Sequence, residues 1–320
     1  MKLRTLVVGS GWGEHAAGVF AADERTRLVG LVGRGSERTR ALAERLAVPA
    51  FTDIGEAIRA AAPEVAAVAV NERDNPAIVR ALLEAGCHVL CSHPVAASAE
   101  EVRALEALGQ AHARLVATDY TLRLRPGFLQ TRAALATSGA LLRASIESPG
   151  RALVMAADLA VGIGGPIVAV FASPPYPAAL HERLQRTPKA FPPTLLFEHR
   201  AGCVTVAVPV PHAGTQSAHR ITLSAERARI DLGLPSGPAR VTRRLSQGRV
   251  EEQVLLSPEP AVSATEAFAG PMRELARRFL DSVVGGVPVH APLAEEAHVR
   301  EVWAAAQRSS RERRLVDVAG

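Results

Sequence analysis

Leu3-Arg4-Thr5-Leu6-Val7-Val8-Gly9-Ser10-Gly11-Trp12-Gly13 is the stretch whose reading decides the architecture. A short apolar run closed by glycines and followed by a helical pattern over 12–23 reads as strand, tight turn, helix. The alternation then repeats. Strands are expected at 27–32, 50–51, 65–70, 88–91 and 115–118, with helices at 36–46, 55–62, 75–85 and 99–112 between them. Such alternation implies an α/β class with a doubly wound parallel sheet covered on both faces, a Rossmann-type domain. In that context the glycines, spaced GxGxG rather than GxGxxG, mark a dinucleotide site at Gly9, Ser10, Gly11, Trp12 and Gly13. Bare backbone turns tightly beneath a pyrophosphate, whose charge meets the N-terminus of the first helix. The plainer alternative is an ordinary strand-to-helix turn.

The alternation stops near Tyr120, which places the domain boundaries at 1–119 and 120–320. Helices are expected at 126–136 and 152–162, the latter ending at Gly164-Gly165-Pro166. Strand patterns follow at 167–172, 194–199, 203–208, 219–223, 228–232, 239–245 and 249–255. Short turns such as His199-Arg200-Ala201-Gly202 and Gln247-Gly248 join several of them, so the second domain is read as α+β with a largely antiparallel sheet. The proline-dense stretch 173–193 reads as a loop or lid. Helices at 265–284 and 292–308, candidates to pack back on the first domain, and a last strand at 314–318 complete the chain.

Composition narrows the function classes. At 320 residues and 48% hydrophobic content the chain can bury two cores, and with only 4% aromatic residues it suits helices packed on buried strands. Its net charge of +5 favours anionic partners. Arginine is scattered, however, and the densest run, at 308–314, reads as a solvated helix end, so no nucleic-acid partner is expected. Three cysteines without a CxxC pair fit neither a disulfide framework nor a zinc site, and a reducing cytoplasm is the expected location. No stretch approaches the ~20 apolar residues of a membrane span, and the opening run leads into glycines, not a cleavage site.

The end of the second strand selects the cofactor. An NAD enzyme places a carboxylate there for the ribose hydroxyls; this chain has Gly33-Arg34-Gly35-Ser36-Glu37-Arg38. Arg34 and Ser36 can meet a 2'-phosphate, so NADPH is expected, with Arg38 either assisting or only decorating the helix. Ser92, His93 and Pro94 follow the fifth strand and lie at the carboxyl edge of the sheet, where ligands bind. The histidines away from this edge show no ligand spacing, so no metal is assigned.

With the glycine motif, Ser92-His93-Pro94, the stretch AADLAVGIGGPIVAV around Asp158 and the antiparallel second half, the chain resembles the Gfo/Idh/MocA oxidoreductases. Within that family it looks most like the thiazolinyl imine reductases of siderophore biosynthesis, which share LVGLVGRGSERTRALAERLAVP-like text, a His before the proline and a Tyr at Tyr120. Its Ser92 stands where those reductases usually have Glu, and the chain is shorter than they are. The resemblance implies that Asn71 lines the cofactor path, with a turn-forming Asn as the alternative. It also implies a carrier-tethered substrate on a nonribosomal peptide synthetase, and a homodimer through the second-domain sheet. Sugar dehydrogenases of the family remove a hydroxyl proton with a Lys before the proline and a later Asp-xxx-His, but here those positions are His93, Arg151 and Met155. Imine reduction needs only hydride at carbon and one proton at nitrogen. Tyr120, with a reference pKa near ~10, and His93, near ~6.5, are the candidate donors. The alternatives are a dehydrogenase or reductase of a sugar or small carbonyl compound, and a non-catalytic NADP-binding regulator.

Overall fold

The computed structural model describes residues 2–149, 153–173, 193–210, 219–244, 249–257 and 264–318. The turn at Gln247-Gly248, Arg151 and all but the two ends of the proline-dense stretch lie outside the described residues.

The first sheet is wholly parallel. It comprises β1 (Leu3–Val8), β2 (Thr26–Val32), β3 (Ala50–Phe51), β4 (Val65–Val68), β5 (His88–Ser92) and β6 (Val116–Asp119), in the order β3-β2-β1-β4-β5-β6. Helices α1 (Gly13–Ala22), α2 (Glu37–Arg45), α3 (Ile54–Ala61), α4 (Asn75–Glu84) and α5 (Ala99–Ala111) connect them. Strand order reverses between β1 and β4, and at that switch point a crevice opens outside the carboxyl ends of the strands. All four residues of β4 are buried, which is why it reads as an unbroken apolar run. It stops at Val68, two residues before the expected end, because Ala69 and Val70 leave the ladder to pass beneath the turn after β1. Ser36, Asp53 and Ser98 cap α2, α3 and α5 by accepting a backbone N–H three residues on, each cap contributing about 1 kcal/mol.

The second sheet has nine strands: β7 (Leu141–Pro149), β8 (Ile167–Ala172), β9 (Leu195–His199), β10 (Val204–Val210), β11 (His219–Ala225), β12 (Ala228–Leu234), β13 (Ala239–Arg244), β14 (Val250–Leu256) and β15 (Val316–Asp317). Their order is β14-β13-β12-β11-β7-β10-β9-β8-β15, and every pair is antiparallel except β7 with β10. Strand β7, at the centre, has no counterpart in the sequence reading. Its inward residues include Ala144 and Ser148, small or polar side chains that do not stand out as an apolar alternation. Helices α6 (Pro126–Ala136) and α7 (Leu153–Gly164) pack on this sheet, α7 running two residues past the expected end to the left-handed Gly165.

The chain divides into two units, Met1–Thr121 with Phe268–Ala297, and Leu122–Ala267 with His298–Gly320. Each has its own core. Leu6, Val8, Val68, Leu82, Leu105 and Leu293 belong to the first, and Phe128, Ile146, Leu159, Phe197, Ile221 and Val302 to the second. Helix α8 (Ala264–Gly285) joins the first unit through Asp281, which accepts from Arg25 at 2.7 Å. The last helix, α9 (Leu293–Glu312), gives its first turn to the first unit and the rest to the second. Among the described residues no helix is long and apolar enough to cross a membrane.

Candidate active site

The three glycines after β1 meet three different demands. Gly9 has φ +100°, and a Cβ there would stand 2.3 Å from the Ala69 carbonyl oxygen. Only glycine fits. A Cβ on Gly13 would press on Val7 at 3.3 Å, so this position sets how closely α1 packs on β1. Around Gly11 nothing lies within 4 Å, and that opening is where a pyrophosphate can approach the backbone. The Glu14 N–H donates to the Gly11 carbonyl at 3.3 Å and the His15 N–H to the Trp12 carbonyl at 3.1 Å, so the donors facing this opening are the N–H groups of the turn just ahead of them. The cradle fits a dinucleotide.

The adenosine side is set by the turn between β2 and α2. Ser36 serves as the N-cap of α2, and the Thr39 hydroxyl it holds also donates to Ser10 Oγ at 3.0 Å. Arg38 is engaged with Glu14 at 3.0 Å, and Glu14 also receives Arg45 at 2.7 Å. Hydrogen bonds from Arg45 and then Arg38 hold the Glu14 carboxyl below its usual range. Arg34 is exposed and has no ion pair among the described residues, so its guanidinium is the one on this turn left to meet a phosphate. Asn71 serves as a turn former. Its Oδ1 accepts from the N–H groups of Arg73 and Asp74, and its amide donates to Asp74 at 2.6 Å.

At the far side of the same edge the proton-bearing groups meet. His93 and Tyr120 both reach one buried carboxylate, Glu296, in the first turn of α9. Tyr120 donates its hydroxyl to Oε2 at 2.5 Å, and His93 Nδ1 lies 2.7 Å from the same oxygen. The Val95 N–H donates to Oε1 at 3.1 Å. Burial pushes the Glu296 carboxyl up, but the charge of His93 and the hydrogen bonds from His93, Tyr120 and Val95 outweigh it and hold the carboxyl below the usual range. The His93 and Tyr120 rings meet edge to face with centroids 5.1 Å apart. The His93–Pro94 bond is cis, and the Asn75 amide donates to the Pro94 carbonyl at 3.0 Å, so α4 carries the loop that presents His93. Ser92 closes β5 with its hydroxyl 3.5 Å from the Val70 carbonyl.

Sequence reasoning singled out His93 and Tyr120, which the structure brings together, but not Glu296, Asn75 or Asp119. Glu295-Glu296 after a proline reads as acids complementing a helix dipole, and nothing in the text separates the buried carboxylate from its neighbour. Asp158, in the second unit, is paired with Arg123 at 2.5 Å, both side chains nearly buried, and that pair braces α7.

A glycine cradle at a switch point, with an acid-base cluster on neighbouring strands of the same edge, defines an NAD(P)-binding oxidoreductase. Residues 3–120 match the GFO_IDH_MocA model, described as an oxidoreductase family with an NAD-binding Rossmann fold. Over this first domain the chain is similar to the Gfo/Idh/MocA family. Solved structures share the fold over the whole length. Levoglucosan dehydrogenase in complex with NADH is 15% identical with a TM-score of 0.84, each chain covered 100%. GenD2 from gentamicin A biosynthesis in complex with NAD is 20% identical with a TM-score of 0.82, covering 100% of this chain and 97% of that one. An Agrobacterium radiobacter oxidoreductase in complex with NAD+, L-tartaric acid and magnesium is 14% identical with a TM-score of 0.83, each chain covered 99%. A search among curated proteins gave no match.

Proposed function

We propose that the protein is an NADPH-dependent reductase of a cyclic imine, converting a thiazoline to a thiazolidine on a carrier-bound nonribosomal peptide intermediate. The observation that carries this reading is the convergence of His93 and Tyr120 on the buried Glu296. Bound NADPH supplies the hydride, and the residues of the chain manage the proton. Because the Tyr120 hydroxyl is directed at Glu296, His93 is the member of the cluster that passes a proton on. Its Nδ1–H stays on the carboxylate while Nε2 protonates the imine nitrogen, and Glu296 stabilises the imidazolium beforehand as the carboxylate of a catalytic triad does. Tyr120 then acts by anchoring Glu296.

The same pair supports a second reading. A neutral His93 held by Glu296 can accept a hydroxyl proton at Nε2, which supplies the base that the missing Lys leaves out, so a sugar dehydrogenase is the alternative. A synthetic thiazoline supplied with NADPH, and separately with NADH, tests the choice. Loss of the nicotinamide's near-ultraviolet absorbance with NADPH that depends on the thiazoline is the expected result. Turnover of sugars with no response to thiazoline would establish the alternative, and nucleotide binding with no turnover of either would mark a regulator.

NADPH preference rests on Arg34, a cation on the β2–α2 turn with no ion pair among the described residues. Arg34→Ala is expected to raise KM for NADPH by ~10- to 100-fold, the size of one charge-assisted hydrogen bond of about 1.5–3 kcal/mol, with little change for NADH. Steady-state rates with the two nucleotides check it, and an equal effect on both would remove the 2'-phosphate contact.

A further inference from the structure

Trp12 is the large side chain of the glycine turn. It does not pack into the core of α1. Its indole N–H donates to Asp119 Oδ2 at 2.6 Å, and its ring meets His15 edge-on with centroids 5.0 Å apart. Asp119 ends β6, and in the sheet β4 and β5 lie between β1 and β6. The Trp12–Asp119 bond therefore spans the carboxyl ends of the two strands that separate the phosphate cradle from Tyr120. That span is the course a dinucleotide follows from its pyrophosphate to the acid-base cluster.

The second Asp119 oxygen is also engaged, accepting the Thr121 N–H at 3.1 Å, so the carboxylate has a fixed direction. Burial pushes the Asp119 carboxyl up, against the hydrogen bonds from Trp12 and Thr121 and the charge of His93. The dipeptide Asp119-Tyr120 thus grips the glycine turn with one residue and Glu296 with the next. Trp12 is half-buried. A flat indole held at the mouth of a nucleotide crevice offers a surface for stacking.

We infer that Asp119 is a positioning residue for the cofactor: it holds the Trp12 indole across the crevice as the wall against which the nicotinamide half lies. The inference rests on the dinucleotide reading but not on the imine. A histidine or tyrosine variant leaves this contact in place, whereas loss of the Asp119 acceptor frees the indole.

The test uses the full chain with Trp303→Phe as background, so that Trp12 is the sole tryptophan reporter. NADPH and NADH are titrated by quenching of its fluorescence, with no second substrate present, and KM and kcat are then measured separately. Asp119→Leu is expected to weaken nucleotide binding by about tenfold, with kcat changing far less and the free-state emission shifting to the red. Asp119→Asn, which keeps an acceptor of the same shape, is expected to restore most of the affinity. Unchanged affinity and emission in Asp119→Leu would overturn the inference, as would a fall in kcat with affinity intact, which would assign Asp119 to the proton cluster instead. A lower melting temperature with normal affinity would mark a merely structural bond. A parent protein that quenches with neither nucleotide would overturn the cofactor reading and this inference with it, and so distinguishes the two failures.

Discussion

His93→Ala is expected to lower kcat by about 10²–10⁴-fold, the usual contribution of a positioned acid or base, while nucleotide affinity changes little. Glu296→Gln is expected to follow it part of the way. The amide keeps the shape and can still meet the Val95 N–H, but it removes the charge that stabilises the imidazolium. Tyr120→Phe deletes one of the bonds that orient Glu296 and is expected to cost less than either. The pH profile separates the chemistries. With His93 as donor, the rate of reduction falls as pH rises and the imidazolium is lost, whereas alcohol oxidation through the same pair rises with pH. Stability carries its own sign. The Glu296 carboxyl is held below its usual value, so its contribution is present at neutral pH and is lost as pH falls through the depressed folded-state value. Urea melts at neutral and acid pH check this, since Glu296→Gln lacks that part of the acid dependence.

Gly9→Ala is expected to abolish nucleotide binding and to destabilise the fold by about 3 kcal/mol or more. The φ of +100° is one a side chain resists, and the added Cβ would sit 2.3 Å from the Ala69 carbonyl, a backbone atom that cannot rotate away. Gly11→Ala makes the useful contrast. With nothing within 4 Å of its Cβ, it is expected to fold with stability within about 1 kcal/mol of the parent yet bind NADPH poorly, because the space it fills is the ligand's. Denaturant melts paired with nucleotide titration of both variants check the pair of outcomes. Equal stability of the two would mean that Gly9 is not the strained position, and normal binding by Gly11→Ala would place the pyrophosphate elsewhere.

Much of the parallel sheet was legible because its signals are local. Leu3–Val8 and Val65–Val68 are continuous apolar runs, and each glycine of the first turn acts on neighbours that the βαβ pattern already predicts. Strand β7 was not legible, since an inward Ser148 is satisfied by His219 at 2.8 Å, a partner that only the folded sheet brings near. The cluster was half legible. His93 and Tyr120 sit at strand ends and announce themselves, but Glu296 becomes meaningful through contacts with residues far away in sequence. Sequence pattern likewise cannot tell a cation already paired, Arg38 with Glu14, from one with no ion pair among the described residues, Arg34.

Tyr120 and Glu296 are separated by 176 positions, and the helix that bears Glu296 is the last of the chain. A ribosome therefore releases the whole nucleotide cradle long before the carboxylate that organises the proton donors has been synthesised. During that interval the growing chain has a foothold for its coenzyme but no organised means of using it.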